Sequence, residues 1–526
     1  MATAPARNGV GAQLVCLIIP PSPFLLDERV FLSLGILRVA AVLERAGVRV
    51  ELLDLSGVEN CLDAVEDHAR LSHATVFGLT TTTPQLPAAR AIIERVRQVR
   101  PDARILLGGP HVTLVNAARK REASRGVRGR GHAAFDRIAC MTDVAVAGDG
   151  EVAVFDALDT TERLVDADDP KSSRFLTNAV YNSLPLPSRH LIDMPSYFYQ
   201  IDGRRATSVI GQLGCPFGCG FCGGRNSASL RQIRTRSVSS IIVELEHLHR
   251  AYGYTGFMFY DDELNVSRSM VELMTAIAEL QERLGVDFRL RGFVKAELFD
   301  EQQARAMYRA GFRWLLVGFE AGSERILENI NKRSSRDDNT RCMEIATKHD
   351  LKVKALMSVG HPGESQESVR DSHDWLLEVK PADFDCTIIT TYPGTPYYDD
   401  AVPHETMPGV YTYTTPRTGD RLHARDVDFG EVAEYYKGNP DGGYQAFVFT
   451  DQLSGNELVA GRDWIERDVR TKLGIAFNQS RAGVRYEHSM GMGAGLPAFI
   501  LKSTDAPSVP DESLGHVRVT ADPPLA

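Results

Sequence analysis

The chain is poor in cysteine and carries no excess of basic residues. It holds 8 cysteines among 526 residues, and 59 lysines and arginines stand against 69 aspartates and glutamates, which leaves a net charge of −10. A nucleic-acid partner usually needs a basic face, so we expect none here. Scattered single cysteines suit a reducing compartment, and they are predicted to be buried free thiols. These are Cys16, Cys61, Cys140, Cys342 and Cys386.

Long apolar segments are also missing. Prolines and charges interrupt every run that approaches the roughly 18 apolar residues of a transmembrane helix. The opening residues, MATAPARNGVGAQ, contain no apolar signal core. We therefore expect a soluble, cytoplasmic protein without a membrane partner. No internal repeat occurs, and at roughly 100–200 residues per domain the length predicts two to four domains.

Strand and helix patterns alternate over residues 13–151. Apolar residues at helical spacing separate five short segments that predict strands, namely QLVCLII, VRVELLDL, TVFGL, RILLGG and DVAVAGDGE. The alternation predicts a doubly wound, Rossmann-like α/β domain over residues 1–160. Ligands of such sheets bind at the carboxyl ends of the strands. The loops there are rich in Gly, Pro, Ser and Thr, which suits a large flat ligand, although ordinary tight turns have the same composition.

A second alternation begins after residues 161–205, which lack sustained periodicity and are predicted to be a linker. Six strand and helix units follow within residues 206–405 and predict a partial (β/α)6 barrel with its site at the strand carboxyl ends. Beyond the barrel the pattern weakens. Residues 406–526 are predicted to form a small substrate-side region, with short helices near residues 453–473 and a disordered tail.

The other three cysteines are crowded into GCPFGCGFCGG, directly after the first predicted barrel strand; they are Cys215, Cys219 and Cys222. A structural zinc site normally needs four ligands, and no second cysteine pair exists. A disulfide would leave one cysteine over. Cysteine thiolates also hold iron–sulfur clusters, and three of them would leave one iron of a 4Fe–4S cube open to a ligand. The spacing therefore favours a cluster over zinc.

The motif C-x3-C-x-F-C followed by glycines resembles that of the radical S-adenosylmethionine (radical SAM) superfamily. Further segments match the family in order, namely FYDDELNVSR, VGFEAGSERILENINK, VGHPGES and YPGTPYY. The resemblance implies that the three crowded cysteines ligate a 4Fe–4S cluster whose open iron binds SAM. It also implies candidate SAM contacts at Gly223, Gly224, Asp262, Arg291 and Glu320. The alternatives are a helix cap for Asp262, a structural salt bridge for Glu320 and a surface position for Arg291.

An α/β domain before such a barrel resembles the cobalamin-binding subclass of this superfamily. GGPHVT and GDGE resemble two loop segments of the subclass, with Asp149 in place of the usual glutamate. The signature D-x-H-x-x-G, which supplies a histidine to cobalt, is absent. The corrin is therefore expected to bind without a protein histidine below cobalt, or the domain is degenerate and binds none. Candidate cobalamin contacts are Ser22, Thr81, Thr82, Thr83, Gly108, Gly109, Pro110, His111, Gly148, Asp149, Gly150 and Glu151.

The resemblance implies a cobalamin-dependent radical SAM methyltransferase that acts on an unactivated carbon of a small molecule, in specialised or cofactor metabolism such as antibiotic biosynthesis. A 5′-deoxyadenosyl radical would activate the substrate and methylcobalamin would donate the methyl group. Two alternatives stay open. The same cofactors could drive a cyclisation, ring contraction or oxidation, or the chain could be a non-catalytic cobalamin-binding regulator. A monomer and a reductant such as flavodoxin or ferredoxin are expected.

The segment YEHSMGMGAGLPAF near the end of the chain supplies the candidate catalytic residues, Glu487 and His488. A glycine-rich loop of this kind could close over substrate, with His488 as an acid or base. The alternative is a packing loop, in which Met490 and Met492 are packing residues. Tyr411 and Tyr413 are further candidates for lining the site.

Overall fold

The computed structural model describes residues 13–22, 25, 27–432 and 445–476. Its N-terminal part is built on a sheet of six parallel strands, as the alternation of apolar runs and amphipathic helices predicts. In space the strands follow the order β2-β1-β3-β4-β5-β6. They are β1 (Leu14–Ile19), β2 (Arg49–Asp54), β3 (Val76–Thr80), β4 (Arg104–Gly108), β5 (Val144–Ala147) and β6 (Leu164–Asp166).

Helices cover both faces of this sheet, which confirms the doubly wound fold. On one face, α1 (Leu34–Arg45) and α6 (Gly150–Asp159) share a core with the barrel. The other face packs against α2 (Cys61–Leu71), α3 (Leu86–Val99), α4 (Pro110–Ser124) and α5 (Arg130–Met141). The strand order reverses between β1 and β3, and ligands of such folds bind in the crevice outside the strand carboxyl ends at this point.

The segment expected to be a linker contains regular elements. β6 pairs with β5 and so extends the N-terminal sheet beyond residue 160. A short helix, α7 (Asn178–Ser183), and a two-residue strand, β7 (Gln200–Ile201), follow it. The structure therefore differs from the expectation for residues 161–205, because elements of two to six residues are too short to show a period in the sequence.

The second sheet confirms the partial barrel. Six parallel strands stand in the order β8-β11-β12-β13-β14-β15, and β7 runs antiparallel beside β8. The strands are β8 (Arg204–Val209), β11 (Gly256–Phe259), β12 (Arg289–Phe293), β13 (Phe312–Glu320), β14 (Lys352–Val359) and β15 (Asp383–Ile388). The main helices are α9 (Val238–Tyr252), α10 (Met270–Leu284), α11 (Glu301–Ala310), α12 (Glu324–Ile330), α13 (Arg336–Lys348) and α14 (Gln366–Val379).

Shorter elements carry the loop after the first barrel strand and the segment that follows the barrel. The loop region contains β9 (Gln212–Leu213), α8 (Ala228–Arg231) and β10 (Arg234–Thr235), with β9 and β10 antiparallel. After the barrel come α15 (Pro396–Asp399) and a small antiparallel sheet of β16 (Val402–Pro403), β17 (Val410–Thr414), β18 (Arg421–Arg425) and β19 (Val448–Thr450).

A helix covers the open edge of the barrel. α16 (Gly455–Leu473) is one helix of 19 residues where short helices were expected, and a capping box of Ser454 and Glu457 fixes its start. Arg462 Nε donates to the carbonyl oxygen of Cys386 at 2.8 Å, and the N–H of Cys386 donates to Glu466 at 2.7 Å. These contacts satisfy backbone groups of β15 that an uncovered edge strand would expose.

Within the described residues, no helix combines the length and the apolar character that a membrane span requires.

Candidate functional site

The cysteine loop lies at the carboxyl end of β8 and is held by backbone hydrogen bonds. The N–H of Cys215 donates to Leu230 at 3.0 Å, and the N–H of Gly220 donates to Ile330 at 2.7 Å. Gly214 has a φ of +86°, and a Cβ there would lie 2.2 Å from the carbonyl oxygen of Gln232, so only glycine fits. The loop is therefore fixed in shape by the barrel around it.

The three loop cysteines are half-buried free thiols. Burial raises the pKa of Cys215 to about 11 and that of Cys222 to about 12. Burial also raises the pKa of Cys219, although the nearby charges of Lys332 and Lys295 oppose the shift. At neutral pH these thiols carry their protons, and a bound metal centre would be needed to convert them to thiolates.

The three loop thiols do not all lie close enough together to bind one ion. Around one zinc ion, sulfur ligands lie about 3.8 Å apart, given Zn–S bonds of about 2.3 Å. Within residues 13–432 and 445–476 as described, one trio of Cys, His, Asp or Glu ligand atoms lies within 4.8 Å of one another, and it lies in the N-terminal domain. The loop sulfurs are thus spread more widely than the ligands of one ion.

Two carboxylates after β11 hold the start of the cysteine loop. Asp261 accepts the N–H of Gly211 at 2.7 Å, and Asp262 accepts the N–H of Gly214 at 3.0 Å. Asp262 is exposed, yet desolvation by the surrounding protein raises its pKa, against the hydrogen bond from Gly214. Asp262 does not cap the next helix, whose N-cap is Ser269. Sequence reasoning missed Asp261, although it stands beside Asp262 in the same segment.

Glu320 ends β13 in a strained position. Its φ of +67° lies in the left-handed region, and the pairing of β13 with β14 shifts register there. One carboxylate oxygen pairs with Lys332 Nζ at 2.8 Å and the other accepts a hydrogen bond from Ser358 at 2.9 Å. Burial alone would raise the pKa of Glu320, but the Lys332 charge and these hydrogen bonds lower it. The structure thus contains the salt bridge that was considered as the alternative for Glu320.

A polar chain continues from Glu320 toward Tyr397. Ser358 Oγ lies 2.8 Å from His361 Nε2, and His361 Nδ1 lies 3.5 Å from the Tyr397 hydroxyl. Burial lowers the pKa of His361 to about 4, so this imidazole is neutral at pH 7. The residues His361 and Lys332 were not singled out from the sequence, although both lie inside the segments that match the family motifs.

Arg291 lies inside the barrel, not on the surface. It is buried on β12, its Nη1 donates to the Tyr199 hydroxyl at 3.4 Å, and its guanidinium lies 5.7 Å from the Trp314 ring. Its neighbour Leu290 belongs to the core behind the sheet, and side chains alternate along a strand. Arg291 therefore projects from the concave face.

Three buried polar atoms at the ends of the first two barrel strands have no hydrogen-bond partner among the described residues. They are Ser208 Oγ, Gln212 Oε1 and Glu263 Oε2. Burial raises the pKa of Glu263 to about 7, although the charges of Lys332 and Lys295 lower it. Buried polar atoms are normally satisfied, so this group fits a polar ligand beside the cysteine loop.

A cavity of about 290 Å³ lies at the carboxyl edge of the N-terminal sheet. Seven of the predicted cobalamin residues line it, namely Gly108, Gly109, Pro110, Gly148, Asp149, Gly150 and Glu151. The barrel contributes Ile210, Leu213, Ser229 and Leu230. The two domains therefore enclose this space together.

Glycines give this cavity its shape. Gly109 has a φ of +99°, and a Cβ there would lie 2.6 Å from the backbone nitrogen of Thr81. Gly148 has a φ of +87°, and its Cβ would lie 2.5 Å from the carbonyl carbon of Ala167. Both positions exclude any side chain, so these loops can approach a ligand with backbone atoms.

Charges link the cavity to the barrel. Asp149 forms a buried ion pair with Arg234, which also donates to the carbonyl of Ser229 beside the cysteine loop. Glu151 lies close by, and burial followed by the charge of Asp149 raises its pKa to about 7. Asp149, which departs from the usual glutamate, thus connects a loop of one domain to β10 of the other.

Five predicted cobalamin residues do not line the cavity. The N–H of Ser22 donates to Glu28 at 2.6 Å, Thr82 forms a capping box with Gln85, and Thr81 lies under Gly109. Thr83 Oγ1 lies 3.1 Å from His111 Nδ1. His111 faces a different cavity, between α3 and α5, and burial followed by the charge of Arg137 lowers its pKa to about 3. Their assignment to cobalamin stays a prediction.

The remaining predicted residues have different outcomes. Glu487, His488, Met490 and Met492 lie outside the described residues. Tyr413 packs 4.9 Å from Tyr397, whereas Tyr411 lies under the guanidinium of Arg130. The prediction of buried thiols is confirmed for Cys16, Cys61, Cys342 and Cys386, and it is wrong for Cys140, which is exposed on α5.

Two family models match the chain, one in the N-terminal domain and one in the barrel. The radical SAM superfamily matches residues 209–376, and the B12 binding domain matches residues 29–139. An uncharacterized methyltransferase of Pyrococcus horikoshii is 29% identical over 335 residues, which cover 62% of this chain and 69% of that protein. The anaerobic magnesium-protoporphyrin IX monomethyl ester cyclase of Rubrivivax gelatinosus is 22% identical over 373 residues, which cover 66% of this chain and 62% of that protein.

A solved structure has a similar fold. It is that of the radical S-adenosylmethionine methyltransferase TsrM of Kitasatospora setae, with tryptophan substrate and a SAM analog bound. The TM-score is 0.58 at 19% identity, and the match covers 78% of this chain and 79% of that one. At this identity the likeness concerns the fold alone.

The fold and the two matches define an enzyme in which a B12-binding domain precedes a radical SAM barrel. The chain combines a radical SAM superfamily region with a B12 binding domain, the two parts of a cobalamin-binding radical SAM enzyme. Its cofactors are accordingly a 4Fe–4S cluster, SAM and cobalamin, as the sequence predicts. A radical SAM enzyme is not the non-catalytic regulator that the sequence left open.

Proposed function

We propose that this enzyme transfers a methyl group to an unactivated carbon of a small-molecule substrate. One observation carries the proposal, namely that the cysteine loop packs on α4, the helix that follows Gly108 and Gly109. A Cβ at Gly223 would lie 2.9 Å from the side chain of Leu114 on α4, so the loop packs directly on the N-terminal domain. Group activation and group donation can therefore reach one substrate between the domains. The relatives named as methyltransferases support the same conclusion.

The chain offers a distinct set of residues for each cofactor. Cys215, Cys219 and Cys222 would ligate the cluster. Gly223, Gly224, Asp262, Arg291 and Glu320 remain candidates for SAM, and the buried polar atoms described above support a polar ligand beside the loop. The glycine loops 108–110 and 148–151 would contact cobalamin. When bound, these cofactors supply a substrate-activating radical and a transferable methyl group.

Residues of the chain position the cysteine loop, shield it from water and balance the charge beside it. Asp261 and Asp262 fix the backbone that enters the cysteine loop. Lys295 Nζ lies 4.2 Å from the Phe217 ring, a cation–π contact that holds this aromatic side chain in the cysteine loop, where it would exclude water. The ion pair of Lys332 with Glu320 places balanced charge beside Cys219. Water exclusion of this kind protects a reactive radical from side reactions.

An anaerobic turnover assay tests the proposal. The protein is reconstituted with iron, sulfide and hydroxocobalamin, then given SAM and a strong reductant, and the products are followed by mass spectrometry. We expect both 5′-deoxyadenosine and S-adenosylhomocysteine, with the latter lost when cobalamin is omitted. Formation of 5′-deoxyadenosine without S-adenosylhomocysteine, with candidate substrates present, would contradict methyl transfer.

A second candidate is a radical reaction without methylation. The relative that is named as a cyclase favours it, since it matches 66% of this chain. Product mass separates the two, because methylation adds one methyl group whereas cyclisation, ring contraction and oxidation do not. We further propose a flavodoxin or ferredoxin as reductant, a monomeric state and a cytoplasmic location. Size-exclusion chromatography of the reconstituted protein checks the monomer.

A further inference from the structure

A second group of metal-ligating side chains lies in the N-terminal domain, outside the regions described above. Cys16 on β1, Glu51 on β2 and His68 on α2 bring one ligand atom each within 4.8 Å of the others. Cys16 Sγ lies 3.4 Å from His68 Nε2, and the same nitrogen lies 3.2 Å from Glu51 Oε2. Three electron-pair donors therefore converge on one point.

This group lies on the sheet face opposite the glycine-lined cavity. Leu17 lines that cavity, and the side chain of the preceding residue, Cys16, points to the other face of β1. Cys16 belongs to the core formed with α2 and α3. The group is thus separated from the cobalamin region by the thickness of the sheet, and a role for it is independent of the proposed function.

The distances match the edges of a coordination tetrahedron. Zinc binds sulfur at about 2.3 Å and nitrogen or oxygen at about 2.0–2.1 Å, so ligand atoms in a tetrahedron lie about 3.3–3.6 Å apart. Hydrogen bonds alone do not satisfy all three atoms. His68 Nε2 carries at most one proton, whereas both Cys16 and Glu51 contact that nitrogen. A cation satisfies all three donors at once.

The surroundings supply a supporting hydrogen bond and an entry path. Ser72 Oγ donates to Glu51 Oε2 at 2.6 Å, as groups behind a metal ligand commonly do. The side chains of His68 and Glu51 are 28% and 33% exposed, while Cys16 is fully buried. Solvent can therefore reach the open fourth position. Burial, followed by the charge of Glu51, raises the pKa of Cys16, so the thiolate form requires a neighbouring cation.

We propose that Cys16, Glu51 and His68 form a binding site for a borderline divalent cation such as Zn²⁺, with solvent as the fourth ligand. Mixed sulfur, imidazole and carboxylate donors suit zinc rather than Mg²⁺ or Ca²⁺, which prefer oxygen ligands. The ion links β1, β2 and α2 and so stabilises the domain that carries the glycine loops.

Zinc content tests the site. The full-length protein, with its cluster and cobalamin reconstituted, is loaded with Zn²⁺, dialysed against a weak chelator and analysed for zinc per chain. We expect one zinc to remain in the wild type and to be lost in His68→Gln. The matched control is His73→Gln, because His73 is an exposed histidine five residues further on. Equal zinc content in the wild type and His68→Gln, or none in either, overturns the proposal.

Zinc-edge X-ray absorption supplies an element-specific second measurement that iron and cobalt do not disturb. We expect one sulfur neighbour at about 2.3 Å, which disappears in Cys16→Ser but not in Cys61→Ser, a buried cysteine of α2. Ser72→Ala should weaken zinc binding about 10-fold. A sulfur-free or sulfur-rich zinc environment, or a spectrum that Cys16→Ser leaves unchanged, assigns the ion to another site.

Discussion

The two candidate cofactor regions are built by different means. In the cysteine loop of the barrel, side chains add to the backbone hydrogen bonds, since Asp261 and Asp262 accept backbone N–H groups from its entry. Backbone shape defines the N-terminal cavity, where Gly109 and Gly148 leave no room for a Cβ. A metal cluster needs a few strong ligands, whereas a large flat ligand needs close backbone approach over a wide area. Substitutions should therefore act differently in the two regions.

Removing one ligand should have the largest effect. In Cys219→Ala we expect loss of the cluster and a fall of more than about 100-fold in 5′-deoxyadenosine formation, because the loop provides three ligands only. Iron content and deoxyadenosine yield are measured together. Cys342→Ala is the control, since this cysteine is buried in the core on α13. Normal iron content in the Cys219 variant contradicts the assignment of the loop.

Breaking the buried charge pair near the loop should have the second-largest effect. Lys332→Met leaves Glu320, whose side chain is only 12% exposed, without its cation, and such changes cost about 3–5 kcal/mol. Urea unfolding measures the loss, which the double variant Glu320→Gln, Lys332→Met should largely restore. The control is Arg283→Met, which breaks an exposed pair with Glu246 and should cost much less stability, because solvent screens exposed charges. Equal costs in the two single variants would contradict a buried pair.

A glycine substitution tests the cavity by shape alone. Gly109→Ala combines a left-handed backbone with a contact of 2.6 Å to Thr81, and we expect a loss of about 2–4 kcal/mol together with weaker cobalamin binding. Gly47→Ala is matched in backbone, with a φ of +83°, but meets nothing within 4 Å. It should cost about 1–2 kcal/mol and leave cobalamin binding unchanged. Similar cobalamin affinities in the two variants would contradict the assignment of this cavity to cobalamin.

The same contrast explains what the sequence could predict. The cysteine spacing and the strand and helix alternation identify the barrel and its loop, because ligand chemistry and hydrophobic periodicity depend directly on residue types and their spacing. The pairing of Asp149 with Arg234 could not be predicted, since the partners lie 85 residues apart in different domains. His111 was grouped with its glycine neighbours, yet the start of α4 turns it toward Phe429 on the opposite face. Short elements such as β6 could not be predicted either, because they contain too few residues to show a hydrophobic period in the sequence.

The smallest expected effect is a difference in pH dependence between the regions. Burial raises the pKa of Glu151 from 4.5 to about 7, so the stability that its protonated form contributes is present below pH 4.5 and is lost as pH rises through 7. Glu320 has a lowered pKa, so its contribution is present above pH 4.5 and is lost as pH falls through the folded-state value.

Glu151→Gln should therefore become more stable relative to the wild type as pH rises from 5 to 8, because the wild type must ionise a buried carboxyl over this range. Glu320→Gln should show no such change between pH 5 and pH 8, because the contribution of the Glu320 carboxylate is already fully present above its ordinary pKa of 4.5. Urea midpoints at pH 5 and pH 8 measure both. Parallel curves for the two variants would show that the buried carboxylates of the two regions do not differ in charge state.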